Sequence, residues 1–151
     1  MKIKNILFVC TGNTCRSPMA EIILKNKLKL AGVKNVRVSS AGLCASVNEK
    51  ISKNSALALK QMGFKSYSFR ARQLTPDMLL KNDLIICMTK EHKRGISNFP
   101  GVYAVSEYTS QRDVLDPYGM DISAYLQTSH EIEDVCNEIL KKILNDDEED
   151  V

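Results

Sequence analysis

Cys10 and Arg16 stand six positions apart, joined by Thr11-Gly12-Asn13-Thr14-Cys15 and followed by Ser17-Pro18. A thiol can attack phosphorus, and a guanidinium presents a planar fork to two oxygens of a phosphoryl group. A short glycine-bearing loop between a strand and a helix aims backbone N–H groups and the helix N-terminus at one point, which makes an anion site. The same field stabilises a thiolate placed there. Nucleophile, phosphate cradle and charge clamp thus come from one segment. A cysteine in isolation reads as a small buried residue at a strand end, but the Cys-x5-Arg spacing together with Gly12, Asn13 and Ser17-Pro18 outweighs that. A zinc site fails on spacing: Cys10 and Cys15 have no second cysteine pair, and His92 and His130 lie far apart. A redox Cys-x-x-Cys is also absent. No metal and no cofactor is expected.

Attack on phosphorus needs an acid for the leaving group and then a base for water. Neither histidine has a supporting pattern. His92 lies among Lys90, Lys93 and Arg94, and His130 beside acidic residues, so both are expected on the surface. The better candidate is Asp116 in Asp113-Val114-Leu115-Asp116-Pro117-Tyr118-Gly119. Pro117 biases Asp116 to an extended backbone, and Gly119 lets the loop turn. Taken alone, this is also an ordinary Asp-Pro turn.

These residues must be held by regular elements. Residues 3–10, with the apolar run Ile6-Leu7-Phe8-Val9, read as a buried parallel strand. Ser17 suits an N-cap and Pro18 the first helical position, for a helix over 18–31 ended by Gly32. Val36-Arg37-Val38 reads as a short strand running into Ser39-Ser40-Ala41-Gly42. Further helices are expected over 53–62, from the Thr75 N-cap to about Lys81, and from Lys90 to Ser97. Leu84 to Met88 and Val102 to Val105 read as strands, and 122–144 as a long amphipathic helix. Strands alternating with helices predict an α/β sandwich on a parallel sheet. Ligands bind beyond the carboxyl ends of such strands, where Cys10 falls.

The 151 residues suit a single domain, 1–151, and 44% hydrophobic residues suffice for a full core. The acidic end, 146–151, reads as a frayed tail. A net charge of +3 is too small to imply nucleic acid, and no apolar run nears membrane-spanning length. Lys90, Lys93, Arg94, Arg70 and Arg72 read as solvated surface. Five cysteines, an odd number, point to a reducing, cytoplasmic setting. Cys87 and Cys136 sit in apolar patterns and are expected in the core, and Cys44 reads as core or loop filler.

The run from Val9 to Glu21, with Asp116-Pro117-Tyr118-Gly119 downstream, resembles the low-molecular-weight protein tyrosine phosphatases. Ser39 to Gly42 and Ala71-Arg72-Gln73-Leu74 also fit that family, so the resemblance spans the chain. It implies a three-layer sandwich with a four-stranded parallel twisted sheet. It implies Cys10 as nucleophile through a phosphocysteine, Arg16 on the phosphoryl oxygens, and Asp116 as general acid and then base. Thr11 to Ser17 would cradle the phosphate. Ser17 would bond the Cys10 thiolate, and Asn13, left-handed and tied to Ser40, would hold the loop. The partners implied are phosphorylated proteins, with a monomer as the expected state.

Within the family, Thr14, Met88-Thr89, His92-Lys93 and Glu107-Tyr108-Thr109 look like the bacterial protein arginine phosphatases. Tyrosine-specific members commonly carry an aliphatic residue at the position of Thr14. A threonine hydroxyl can meet a polar guanidinium, whereas an aliphatic residue packs on an aromatic ring. Tyr118 would wall the pocket for either substrate. Phosphoarginine is therefore the leading substrate, phosphotyrosine the alternative and arsenate reduction a remote one, since that reaction needs a relay of further cysteines. A non-catalytic phosphate-binding module is disfavoured by Cys10, Arg16 and Asp116 occurring together. Cys15, as the family implies, would trap oxidised Cys10 as a reversible disulfide. Phe69, where relatives often have histidine, leaves the loop-support network without one expected member. Met120 replaces a common second glycine, and Thr89 an acidic residue.

Overall fold

The computed structural model describes residues 2–65 and 68–149, with side chains to residue 146. Four parallel strands lie in the order β2-β1-β3-β4. They are β1 (Asn5–Cys10), β2 (Arg37–Gly42), β3 (Leu84–Cys87) and β4 (Val102–Ala104). Cys10 pairs with Gly42 across β1–β2, and Val9 with Cys87 across β1–β3. Alternation in β1 sorts the core. Ile6, Phe8 and Cys10 face α1 (Arg16–Leu30) and α6 (Ile122–Glu149), packing with Met19, Ile23, Ile132 and Ile139. Leu7 and Val9 face the other side with Leu79, Ile96 and Val102. Both faces of β1 are covered, which is why its sequence is an unbroken apolar run.

The remaining helices are α2 (Lys53–Gln61), α3 (Pro76–Lys81), α4 (Lys90–Arg94) and α5 (Val105–Tyr108). Thr75 caps α3 as expected, accepting from Met78 N. Several boundaries differ from expectation. Ser17 is not the N-cap of α1: the helix starts at Arg16, with Cys15 in the cap position and no side-chain cap bond. The Ser17 hydroxyl is drawn instead to Cys10 and Asn13. The last strand stops at Ala104, because Val105 opens the unforeseen α5 and the Glu107 carboxylate accepts from Ala104 N. Residues expected to fray from 146 continue α6 as far as Glu149, and 150–151 lie outside the described residues. Among the described residues, no helix is long and apolar enough to cross a membrane.

Candidate active site

The loop after β1 lies at the carboxyl end of the sheet, beside the point where the strand order reverses. Asn13 at its apex has φ +57°, a left-handed conformation that asparagine tolerates. No backbone N–H from Gly12 to Cys15 has a partner among the described residues. The first N–H groups of α1 are free by helix geometry. The loop is thus a concave row of unsatisfied donors. Gly42 of β2 lies against its back. A Cβ on Gly42 would sit 2.5 Å from Thr11 O and 3.0 Å from Asn13 N, so only glycine fits.

Cys10 is 2% exposed, with Sγ 2.8 Å from Ser17 Oγ. Asn13 Nδ2 donates to Ser17 Oγ at 2.8 Å and to Ser40 Oγ at 2.9 Å, while Asn13 Oδ1 accepts from Arg72 N at 2.8 Å. Ser40 Oγ donates to Glu21 Oε1 at 2.7 Å, and Glu21 Oε2 pairs with Lys25. The Arg72 N–H fixes which end of the Asn13 amide is oxygen. Ser17 Oγ accepts from Asn13, which leaves its own hydrogen for the Cys10 sulfur. The network closes on a backbone N–H, so Phe69 costs it nothing. Glu21 anchors it without any local signal beyond the motif that contains it.

Arg16 is 5% exposed. Its Nη1 donates to Val114 O at 3.0 Å, and its Nη2 lies 3.6 Å from Asp116 Oδ2. The two ends of the expected constellation, a hundred residues apart, therefore meet. Asp116 Oδ1 accepts from Tyr118 N at 3.0 Å. Asp113 pins the base of this loop by accepting from Lys90 N and Ser106 N. Tyr118 stands 80% exposed at the rim.

A cleft of about 330 Å³ opens over the loop, lined by Cys10, Thr14, Cys15 and Arg16, by Asp116 and Tyr118 of the acid loop, and by Cys44, Ser46 and Glu49 of the segment after β2. The second wall was not foreseen. Cys44 is exposed, outside the core, and lines the cleft. Its backbone N bonds Thr11 O, and Ser52 N bonds Thr14 O, which moors that wall to the loop. The Glu49 carboxylate has no partner among the described residues. Cys15 also lines the cleft, with its thiol near Ser52 and Tyr125 in a small cluster with Ala58. Cys87 and Cys136 are buried in the core, and burial pushes the Cys87 thiol up to about 12 and raises that of Cys136 as well. Among the described residues, no three His, Cys, Asp or Glu side chains are grouped to hold a metal ion.

His92 corrects the sequence expectation. It is 6% exposed rather than on the surface, and its ring spans Thr89 Oγ1 and Thr11 Oγ1, each at 2.9 Å. Burial first, then the Arg16 charge, pushes its pKa down to about 4, so the imidazole is neutral near pH 7. The Thr89-x-x-His spacing at a helix start was the available signal. His130 is exposed as expected.

Residues 5–149 match the low molecular weight phosphotyrosine protein phosphatase family. The protein-arginine-phosphatase of Bacillus subtilis strain 168 is 38% identical over 149 residues, covering 94% of this chain and 98% of that protein. The solved YwlE arginine phosphatase of Geobacillus stearothermophilus is 32% identical, with a TM-score of 0.87 over 96% of each chain. A low molecular weight protein tyrosine phosphatase from T. tengcongensis is 36% identical, with a TM-score of 0.85 over 91% of this chain and 98% of its own. Sequence, fold and loop agree: the chain belongs to the low molecular weight phosphotyrosine protein phosphatase family and is a cysteine-dependent phosphatase.

Proposed function

We propose that this phosphatase hydrolyses phosphoarginine in proteins, acting as a cytoplasmic monomer. The observation that carries the substrate is the charge layout of the cleft. Among the described lining residues Arg16 is the one cation and is buried with the row of N–H donors, whereas the Glu49 carboxylate and the acid Asp116 are exposed. That order matches a substrate whose phosphoryl end is anionic and whose adjoining guanidinium is cationic. Thr14 adds a hydroxyl at the same edge. Relatives named protein-arginine-phosphatase support the reading.

Cys10 Sγ attacks phosphorus while Arg16 and the loop N–H groups hold the three phosphoryl oxygens and the charge that develops on them. The P–N bond breaks, and Asp116 gives its proton to the departing guanidine nitrogen. A phosphocysteine remains, with Ser17 Oγ–H on the sulfur. Asp116, now a carboxylate, takes a proton from water, whose oxygen attacks phosphorus. Phosphate leaves, and Cys10 returns to thiolate. No step needs a metal or a cofactor.

Phosphotyrosine is the second reading, supported by relatives named protein-tyrosine-phosphatase; the exposed Tyr118 ring can flank a phenol as well as a guanidinium. Arsenate reduction is the remote reading, since the buried, protonated Cys87 and Cys136 are kept from any thiol relay. The test is kcat/KM on phosphoarginine and phosphotyrosine peptides of matched sequence under reducing conditions, with Thr14→Ile and Glu49→Gln alongside. Preference for phosphoarginine, moved toward phosphotyrosine by both variants, is expected. Preference for phosphotyrosine in the unaltered chain would overturn the substrate and leave the mechanism standing.

A further inference from the structure

Thr11 directly follows the Cys10 nucleophile, is exposed, and lines the cleft. Its hydroxyl is held from behind by His92, which reaches it from α4 across 81 positions of sequence. The ring is buried and hydrogen-bonded at both nitrogens, Nδ1 to Thr89 Oγ1 and Nε2 to Thr11 Oγ1. The charged groups that act on it are Arg16, Asp116, Asp113 and Glu91, and the sum with burial keeps it neutral. A neutral imidazole donates from one nitrogen and accepts at the other.

Two arrangements are available. In one, Nδ1–H donates to Thr89 Oγ1, and Thr89, which already accepts from His92 N, keeps a hydroxyl hydrogen with no acceptor among the described residues. In the other, Thr89 donates to Nδ1, and Nε2–H donates to Thr11 Oγ1. The hydrogen left over then belongs to Thr11, at the cleft surface, where water or a ligand accepts it. The second satisfies every half-buried donor, so it is the stable one. We infer that His92 is a positioning residue that presents the Thr11 hydroxyl as a further hydrogen-bond donor to the phosphoryl group in the cleft.

The same short helix holds the acid loop, through Lys90 N on Asp113. One element therefore orients a donor beside the nucleophile and fixes the base of the segment that carries Asp116. The inference rests on the phosphatase reading, and it makes Thr11 distinct from Thr14, which stands at the substrate edge of the loop.

The experiment compares the full chain with Thr11→Val, Thr11→Ser, His92→Ala and the Thr11→Val/His92→Ala double variant. It reads kcat and KM on phosphopeptide, and separately the affinity for inorganic phosphate by calorimetry. Thr11→Val is expected to lower kcat/KM roughly three- to tenfold, the size of one hydrogen bond, and to weaken phosphate binding in step. Thr11→Ser recovers most of the loss. His92→Ala matches Thr11→Val, and the double variant loses no more than either single one. Thr11→Val with unaltered kcat/KM and phosphate affinity would overturn the inference, as would losses from the two residues that add. If His92→Ala does not fold, the Thr11→Val and Thr11→Ser pair decides alone, because those changes lie at an exposed position. An unaltered chain that hydrolyses no phosphopeptide would end the phosphatase reading, while the phosphate titration would still judge Thr11.

Discussion

The chemistry of this site depends on who donates and who accepts. Ser17 accepts from Asn13 and keeps its own hydrogen for the Cys10 thiolate, which can only accept, and Asn13 is oriented by Arg72 N facing its oxygen. Asp116, beside Arg16 and held by the Tyr118 N–H, is the proposed general acid. Asp116→Asn is expected to lower kcat on phosphopeptide by about 100- to 10,000-fold while inorganic phosphate still binds; calorimetry and steady-state kinetics check both halves. The thiols divide by setting. With iodoacetamide at pH 8, Cys10 and the exposed Cys44 are expected to label, Cys10 being protected by phosphate, and Cys87 and Cys136 are expected to remain unlabelled until unfolding. Peptide mapping by mass spectrometry distinguishes them, and early labelling of Cys87 would show the core to be open.

Among the elements, the end of β2 and the start of α4 are two of the supports of the loop. Gly42→Ala drives a Cβ into Thr11 O and Asn13 N, backbone atoms that cannot rotate aside. A loss of about 1–3 kcal/mol in stability is expected from the overpacking. Activity is expected to fall about tenfold or more as the cradle shifts, read from denaturant unfolding and kcat. At α4 the support is His92, whose folded pKa near 4 lies below the unfolded 6.5. Between those values the unfolded chain binds a proton that the folded chain refuses, so this contribution is whole above pH 6.5 and is lost as pH falls toward 4. Relative to a His92→Gln variant, the natural chain should lose up to about 3 kcal/mol of stability across that window. A gap that stays flat with pH would mean the imidazole is charged in the fold.

At the scale of the molecule, three layers place the reactive loop against two separate packing regions. Cys10 belongs to the main core between the sheet and α1 and α6, whereas Cys15 packs with Ala58 and Tyr125 where α2 meets α6. A disulfide between them requires the Cys15 thiol to leave Ser52 and Tyr125 and turn toward Cys10. Mild peroxide is nevertheless expected to produce a Cys10–Cys15 bond that dithiothreitol reverses, and Cys15→Ser is expected to convert most of that recovery into irreversible oxidation of Cys10. Non-reducing mass spectrometry reads the outcome. Peroxidised protein that holds only overoxidised Cys10, or a Cys10–Cys44 bond, would rule out Cys15 as the partner.

Neighbours in the chain carry their own evidence. Cys10, Asn13, Arg16 and the strand that delivers them lie within a dozen residues, so strand periodicity, loop composition and spacing suffice to read a phosphate cradle. Asp116 was only an Asp-Pro turn until the family resemblance gave it a role, since nothing local ties it to Arg16. His92 looked like surface because its neighbours Lys90, Lys93 and Arg94 are charged, yet the Thr89 cap and Thr11 draw the ring inward. Ser17 looked like a cap because Ser-Pro fits a helix start, and the competing thiol 2.8 Å away is visible only after folding. Cys44 and Glu49 became a wall when their loop was bonded to Thr11, Thr14 and Ala71. Short-range preferences are written in residue type and spacing. The direction of a hydroxyl, the burial of a histidine and the charge at a cleft mouth are settled by groups that meet across many tens of residues, where only the packed chain brings donor to acceptor.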